Sequence, residues 1–324
     1  MGGEWSVIGV AVAFAVVNGL NDGGAVLAVG LRVDGVQPLA GLVLIATGVA
    51  IVPLLVGTAV ATTLASRLVS FDGASGREAM IVAVVAAVVV TGVLGSRGLP
   101  TSLTLGLVGA IAGAGVGAGL PVQWPAVLVV LLLAAVAPVV GLLLARVLVA
   151  AVTVRSPTAP VHAVARRWHL AGFGLLCVAY GANDGQKMLA VMAIATGAVA
   201  SSGAVDLGVG QLAAVAVAFL VGATVGLPRM AGTMATGMTQ LRAPEAAITE
   251  VASAGVVLAT GALGSPVSMT QAIAGGLVGT SIPRGWGSIR WGEVARVGGA
   301  WVITLPATFA VAAGLALIAV LVRG

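Results

Sequence analysis

Apolar stretches recur along the whole chain, separated by short polar or glycine-rich connections. A hydrocarbon core about 30 Å thick takes about 20 helical residues at about 1.5 Å each. On that measure the pattern predicts ten membrane segments. Five lie near 6–30, 38–64, 79–95, 99–117 and 124–150, and five near 170–199, 208–227, 245–263, 266–282 and 292–322. The stretches at 99–117 and 266–282 are short, glycine-rich and opened by proline, so re-entry is an alternative to spanning there. The period-two alternation of a membrane barrel is absent. The fold class that follows is an all-α polytopic membrane protein.

One stretch breaks the pattern. Between apolar flanks, Gly181-Ala182-Asn183-Asp184-Gly185-Gln186-Lys187 is polar. Such side chains are costly at membrane depth unless they face a cavity, a partner or an ion. Its glycines predict a broken helix with freed backbone groups. A copy, Gly19-Leu20-Asn21-Asp22-Gly23, stands 162 positions earlier, and seven of eleven positions match between Gly19–Val29 and Gly181–Val191. Two copies of a costly feature predict two halves sharing one site. Each half, residues 1–150 and 170–324, holds five segments, an odd number. The second half therefore enters from the opposite side, giving an inverted repeat around a midplane site. Residues 151–169 are expected to be a cytoplasmic linker.

Composition agrees with a membrane chain. The 324 residues are 60% hydrophobic and 8% charged, against about 25% charged in soluble proteins. Mean hydropathy is +1.17. A net charge of +5 would suggest nucleic acid in a soluble protein, but here basic loops explain it and no nucleic-acid partner is expected. Arg146, Arg155, Arg166 and Arg167, then Arg229 with Arg242, then Arg284, Arg290 and Arg296 form three basic regions, while 118–123 and 200–207 carry no Lys or Arg. Alternation puts the basic regions in the cytoplasm and both termini outside; the 65–78 loop, with Arg67 and Arg77 against Asp72 and Glu78, is the weak point of that assignment. Met1 to Ser6 lack Lys and Arg, so the first segment is expected to be retained. His162 and His169 flank Arg166-Arg167 and read as solvated loop residues, and Cys177 as a packing residue. No zinc spacing, P-loop or nucleophile elbow occurs, and no cofactor is expected.

A second element is also doubled. Pro100-Thr101-Ser102-Leu103-Thr104 is echoed by Pro266-Val267-Ser268-Met269-Thr270, with Gly109 and Gly113 echoed by Gly275 and Gly279. Proline followed by Ser and Thr suits a helix start. A helix start inside a membrane is an anion site, and two of them could grip opposite sides of one oxyanion. Asp22 and Asp184 would repel an anion unless cations intervene. Asn21, Asp22, Asn183 and Asp184 with freed carbonyls suit Na⁺, and the carboxylates could alternatively take protons. Glu250 is a further buried-carboxylate candidate. Lys187 stands three positions past Asp184 and shares its face. It is either a structural partner of Asp184 or an anion ligand. The anion role is favoured, because Ala25 at the matching place leaves Asp22 without a lysine.

Two Gly-x-Asn-Asp elements, two Pro-x-Ser-x-Thr elements and inverted halves resemble the PiT family of inorganic phosphate transporters. Gly181 to Lys187 is similar to its bacterial members, as are Arg229 to Thr233, Thr249-Glu250 and Arg290-Trp291-Gly292 with Ala300 to Pro306. The resemblance implies a non-enzymatic secondary transporter of the cell membrane, importing phosphate by symport with Na⁺ or H⁺, and a homodimer. It implies phosphate at Thr101, Ser102, Thr104, Ser268, Thr270, Gln186 and Lys187, and cations at Asn21, Asp22, Asn183, Asp184 and Glu250. The family's Pro-x-Ser-Thr-Thr-His pattern is incomplete here, since Leu103-Thr104-Leu105 and Met269-Thr270-Gln271 lack one threonine and the histidine. That leaves a sulfate or other tetrahedral-oxyanion permease as the alternative. An intramembrane hydrolase using Asp22 and Asp184 as a dyad is a remote one.

Overall fold

The computed structural model describes residues 2–31, 36–71, 73–96, 101–154, 161–199 and 207–322. Asp72, Pro100, Arg155 with the rest of 155–160, and most of the 200–207 connection lie outside these residues. The described residues form helices and the loops that join them, with two isolated bridges between loops. In chain order the first half has α1 (Gly2–Asn18), α2 (Gly24–Gly30), α3 (Pro38–Val56), α4 (Ala59–Thr62), α5 (Gly73–Ser96), α6 (Leu103–Gly117) and α7 (Trp124–Val154). The second has α8 (Val161–Tyr180), α9 (Gln186–Thr196), α10 (Val209–Met230), α11 (Ala243–Ala262), α12 (Met269–Ser281) and α13 (Trp291–Leu321).

Among the described residues, seven helical stretches are long and apolar enough to cross a membrane, from Val7–Gly30 to Trp291–Leu321. The chain is a multi-pass membrane protein. The other three expected segments take different forms. Helix α6 has 15 residues and α12 has 13; at about 1.5 Å per residue both are shorter than a 30 Å core. Both are almost wholly enclosed by protein, which is the condition under which irregular backbone is tolerated at membrane depth. The third, 170–199, belongs to a longer helical path that starts at Val161. Helix α7 likewise runs on to Val154, so helix covers much of the stretch expected to be a linker.

The expected helix breaks are widenings instead. Gly19–Gly23 and Gly181–Gly185 are π turns, and the backbone stays helical through them, with φ/ψ of −62°/−44° at Asn18 and −61°/−49° at Tyr180. A π turn loosens the hydrogen-bond ladder without reversing the chain, and such turns gather at functional sites. Glycine is required there for close approach. A Cβ on Gly19 would strike the Phe219 carbonyl of α10, and one on Gly181 would strike the Gly48 carbonyl of α3. Each polar turn thus packs against a helix of the other half.

The short helices pack the same way. Helix α6 lies along α13 and α12 along α7, with Gly113 against the Phe309 backbone and Gly275 against that of Pro138. Lipid gives no hydrophobic force between helices, so this intimate contact supplies the association energy. At one end of the molecule, Val69 bridges Val122 and Arg77 Nη2 donates to the Ala195 carbonyl at 2.6 Å. At the other, Thr239 bridges Ile289, while Arg284 donates to the Gln240 carbonyl at 2.7 Å and pairs with Glu245 at 3.3 Å. The 65–78 loop therefore shares an end with 118–123.

Candidate functional site

The two polar turns and the starts of α6 and α12 meet in the protein interior. Ser102 and Ser268, the residues that open these helices, have matching extended backbones, φ/ψ −97°/107° and −93°/124°. Ser102 Oγ accepts from the Leu105 N–H at 3.2 Å, a side-chain cap. Ser268 makes no such cap, and its hydroxyl bonds Thr270 Oγ1 at 2.7 Å instead. Thr104 Oγ1 donates to the Val267 carbonyl at 2.9 Å, joining the first turn of α6 to the residue that precedes the start of α12.

Lys187 sits at that junction. Its Nζ donates to Asp184 Oδ1 at 2.7 Å, Thr104 Oγ1 at 2.6 Å and the Val267 carbonyl at 2.5 Å. An ammonium has three donors, and all three are engaged. The ammonium thus pairs with Asp184 at the place where the sequence predicts an anion ligand. Gln186 is engaged as well. Its Oε1 accepts from the N–H groups of Val60 and Ala61 at 2.8 and 3.2 Å, and its Nε2 donates to the Ala182 carbonyl at 2.6 Å. Freed N–H groups at the start of α4 claim this amide, which caps that helix from the other half.

The first half is arranged differently. Asn21 Nδ2 donates to the Thr101 carbonyl at 2.6 Å and to Asp22 Oδ1 at 3.1 Å. Thr270 lies beside the Asp22 carboxylate, which also feels the charges of Asp184 and Lys187. Asp22 Oδ2, Asp184 Oδ2, Thr101 Oγ1 and both polar atoms of Asn183 have no hydrogen-bond partner. All these side chains are at most 1% exposed, while Asn21 is half-buried. Unpaired polar groups at such depth are costly unless they receive a ligand. The arrangement is an oxygen-rich cluster with two carboxylates, one ammonium and two helix starts.

Glu250 stands apart from it. The Glu250 carboxylate meets His169 Nδ1 at 3.0 Å, and both side chains are fully buried between α8 and α11. His169 is thus not a solvated loop residue. Its place on a face shared with Phe173, Leu176 and Tyr180, all buried at helical spacing, was the pattern that could have revealed it. Sequence reasoning also passed over Asn18 and Tyr180, which bond each other at 3.0 Å beside the two turns, and Ser253, Ser265 and Gln271, buried with unpartnered oxygens. Cys177 is buried and free, a packing residue as expected.

Known proteins share both sequence and fold with this chain. Residues 154–312, which contain one Asn-Asp turn and the start of α12, match the family described as the phosphate transporter family. The second half of the chain thus carries a domain of the phosphate transporter family. A probable low-affinity inorganic phosphate transporter of Mycobacterium leprae is 28% identical over 93% of this chain and 74% of its own. The Rhizobium meliloti protein of the same description is 28% identical over 95% and 93%. Among solved structures, a sodium-dependent phosphate transporter superimposes with a TM-score of 0.83 at 18% identity, over 99% of this chain and all of that one. That likeness is one of fold. These relatives are named as transporters, which speaks against a hydrolase dyad at Asp22 and Asp184.

Proposed function

We propose that the whole chain is a phosphate transporter of this family and imports inorganic phosphate across the cell membrane by symport with Na⁺ or H⁺. Relatives named as phosphate transporters along nearly the whole chain support the substrate. The observation that carries the reading is the meeting of both Asn-Asp turns with both helix starts in one closed cluster. Backbone N–H groups and hydroxyls at the starts of α6 and α12 suit an oxyanion, with Thr101, Ser102, Thr104, Ser268 and Thr270 as its ligands. Asn21 with Asp22, and Asn183 with Asp184, offer the oxygens of two cation sites, and positive charge held there offsets the charge of the anion. Protonated phosphate can also donate a hydrogen bond to a carboxylate or carbonyl, which sulfate cannot, and that favours phosphate beside two aspartates.

Alternating access around this cluster is supported by how the halves interlock. The turn of each half packs on a helix of the other, and the short helix of each lies along a long helix of the other. We read these as inverted repeats with the basic loops in the cytoplasm. Counter-flow in proteoliposomes loaded with unlabelled phosphate tests the substrate. Labelled phosphate should exchange and excess sulfate should not compete. Exchange of labelled sulfate at an equal rate would contradict the assignment.

A further inference from the structure

The two halves build the same oxygen cage but fill it differently. In the first, Asn21 Nδ2 bridges the Thr101 carbonyl and Asp22 Oδ1, at 2.6 and 3.1 Å. In the second, the acceptors at corresponding positions, the Val267 carbonyl and Asp184 Oδ1, are bridged by Lys187 Nζ at 2.5 and 2.7 Å. The threonine that completes each cage also corresponds, and comes from the other half: Thr270 beside Asp22 and Thr104 on Lys187. Lys187 occupies in the second half the bridging place that Asn21 holds in the first, and Asn183 has neither side-chain atom paired. At the place corresponding to Lys187 the first half has Ala25, and Asp22 Oδ2 is left without a partner.

We propose that the Lys187 ammonium is a built-in cation. It permanently fills the second of two equivalent cation cages, so that only the cage of Asp22, Thr270 and the Thr101 carbonyl takes an exchangeable ion. Three oxygens, one of them a carboxylate, converge on Nζ, and hard cations such as Na⁺ take oxygen ligands of this kind. The charges agree. Asp184 is neutralised within the chain, whereas Asp22 is a buried carboxylate that needs a counter-ion from outside. A cation supplied by the chain makes no journey, so each transport cycle moves one cation fewer than two open cages would. The inference rests on reading the Asn-Asp turns as cation sites.

Equilibrium binding of ²²Na⁺ to purified protein tests it. Lys187→Ala should bind one more Na⁺ per chain than the parent, whether the parent takes one or none. The gain should vanish in Asp184→Asn/Lys187→Ala. In proteoliposomes the Na⁺ dependence of phosphate uptake by Lys187→Ala should rise by one order. The same Na⁺ count in Lys187→Ala and parent would overturn the proposal. If Lys187→Ala is too unstable to purify in an organic-cation buffer, Na⁺ should rescue its thermal stability, and equal instability in both buffers would overturn it as well. The transport reading fails separately, if the parent moves no phosphate while the Na⁺ count still rises on substitution.

Discussion

The Tyr180 hydroxyl donates a hydrogen bond to Asn18 Oδ1 across 3.0 Å, and these residues are each other's counterparts, 162 positions apart like the two Asn-Asp turns. On the proposed inverted-repeat reading, a residue meets its own counterpart only close to the axis relating the copies, which would put this bond where the halves join. Both side chains are fully buried. Tyr180→Phe should lose about 1–3 kcal/mol, the cost of leaving a buried acceptor unpaired, read as a lower melting temperature in detergent. Asn18→Leu combined with Tyr180→Phe should cost less than the sum of the two. Strict additivity would show that the bond contributes nothing.

Close approach at the turns gives a paired expectation. Gly19→Ala and Gly181→Ala each drive a methyl into a backbone carbonyl of the other half, and both should abolish a monodisperse peak in size-exclusion chromatography. Gly174→Ala, on α8 with nothing near its added Cβ, should instead gain up to about 1 kcal/mol from helix propensity. Normal folding of either turn variant would mean that the halves do not interlock there.

The two aspartates should part company in stability while agreeing in function. Asp184→Asn leaves the Lys187 ammonium buried without its carboxylate, which should cost about 3–5 kcal/mol. Asp22→Asn removes an uncompensated charge and should cost far less, or stabilise. Thermal denaturation of the two variants side by side reads the difference. Equal destabilisation would contradict the unequal charge balance of the two cages.

The helix starts differ in a measurable way. Ser102→Ala removes a cap as well as a hydroxyl and should lose about 1 kcal/mol of stability, whereas Ser268→Ala loses only its bond to Thr270. Both should weaken phosphate binding by about 1.5–3 kcal/mol, a tenfold to hundredfold rise in Kd. Calorimetric titration with phosphate checks this, and parental affinity in both would locate the anion elsewhere.

Repetition made much of this legible before any coordinates. Asn-Asp and Pro-x-Ser-x-Thr each occur twice, and polar residues doubled at membrane depth point to a shared site whatever the fold. The pairing of Lys187 with Asp184 was legible as well, being three positions along one helix. Its other two ligands were not, because Thr104 and Val267 approach from 83 and 80 positions away. The partners of Gln186 were hidden for the same reason, since the N–H groups it caps lie more than a hundred positions back. At the turns, glycine beside polar residues suggested broken helices. The glycines serve instead as contact points for the opposite half, and the helix only widens. His169 was misjudged from its neighbours, Arg166 and Arg167, which are exposed while it points to the other face.

The coupled cycle is tested most directly by accumulation against a gradient. Proteoliposomes containing the parent protein, with equal phosphate on both sides and an inward Na⁺ or H⁺ gradient, should concentrate labelled phosphate inside. Collapsing the gradient with an ionophore should release it. Asp22→Asn, folded but lacking the cation ligand, should not concentrate phosphate under either gradient. Equilibration of phosphate without accumulation by the parent, or undiminished accumulation by Asp22→Asn, would contradict cation-coupled phosphate transport through this site.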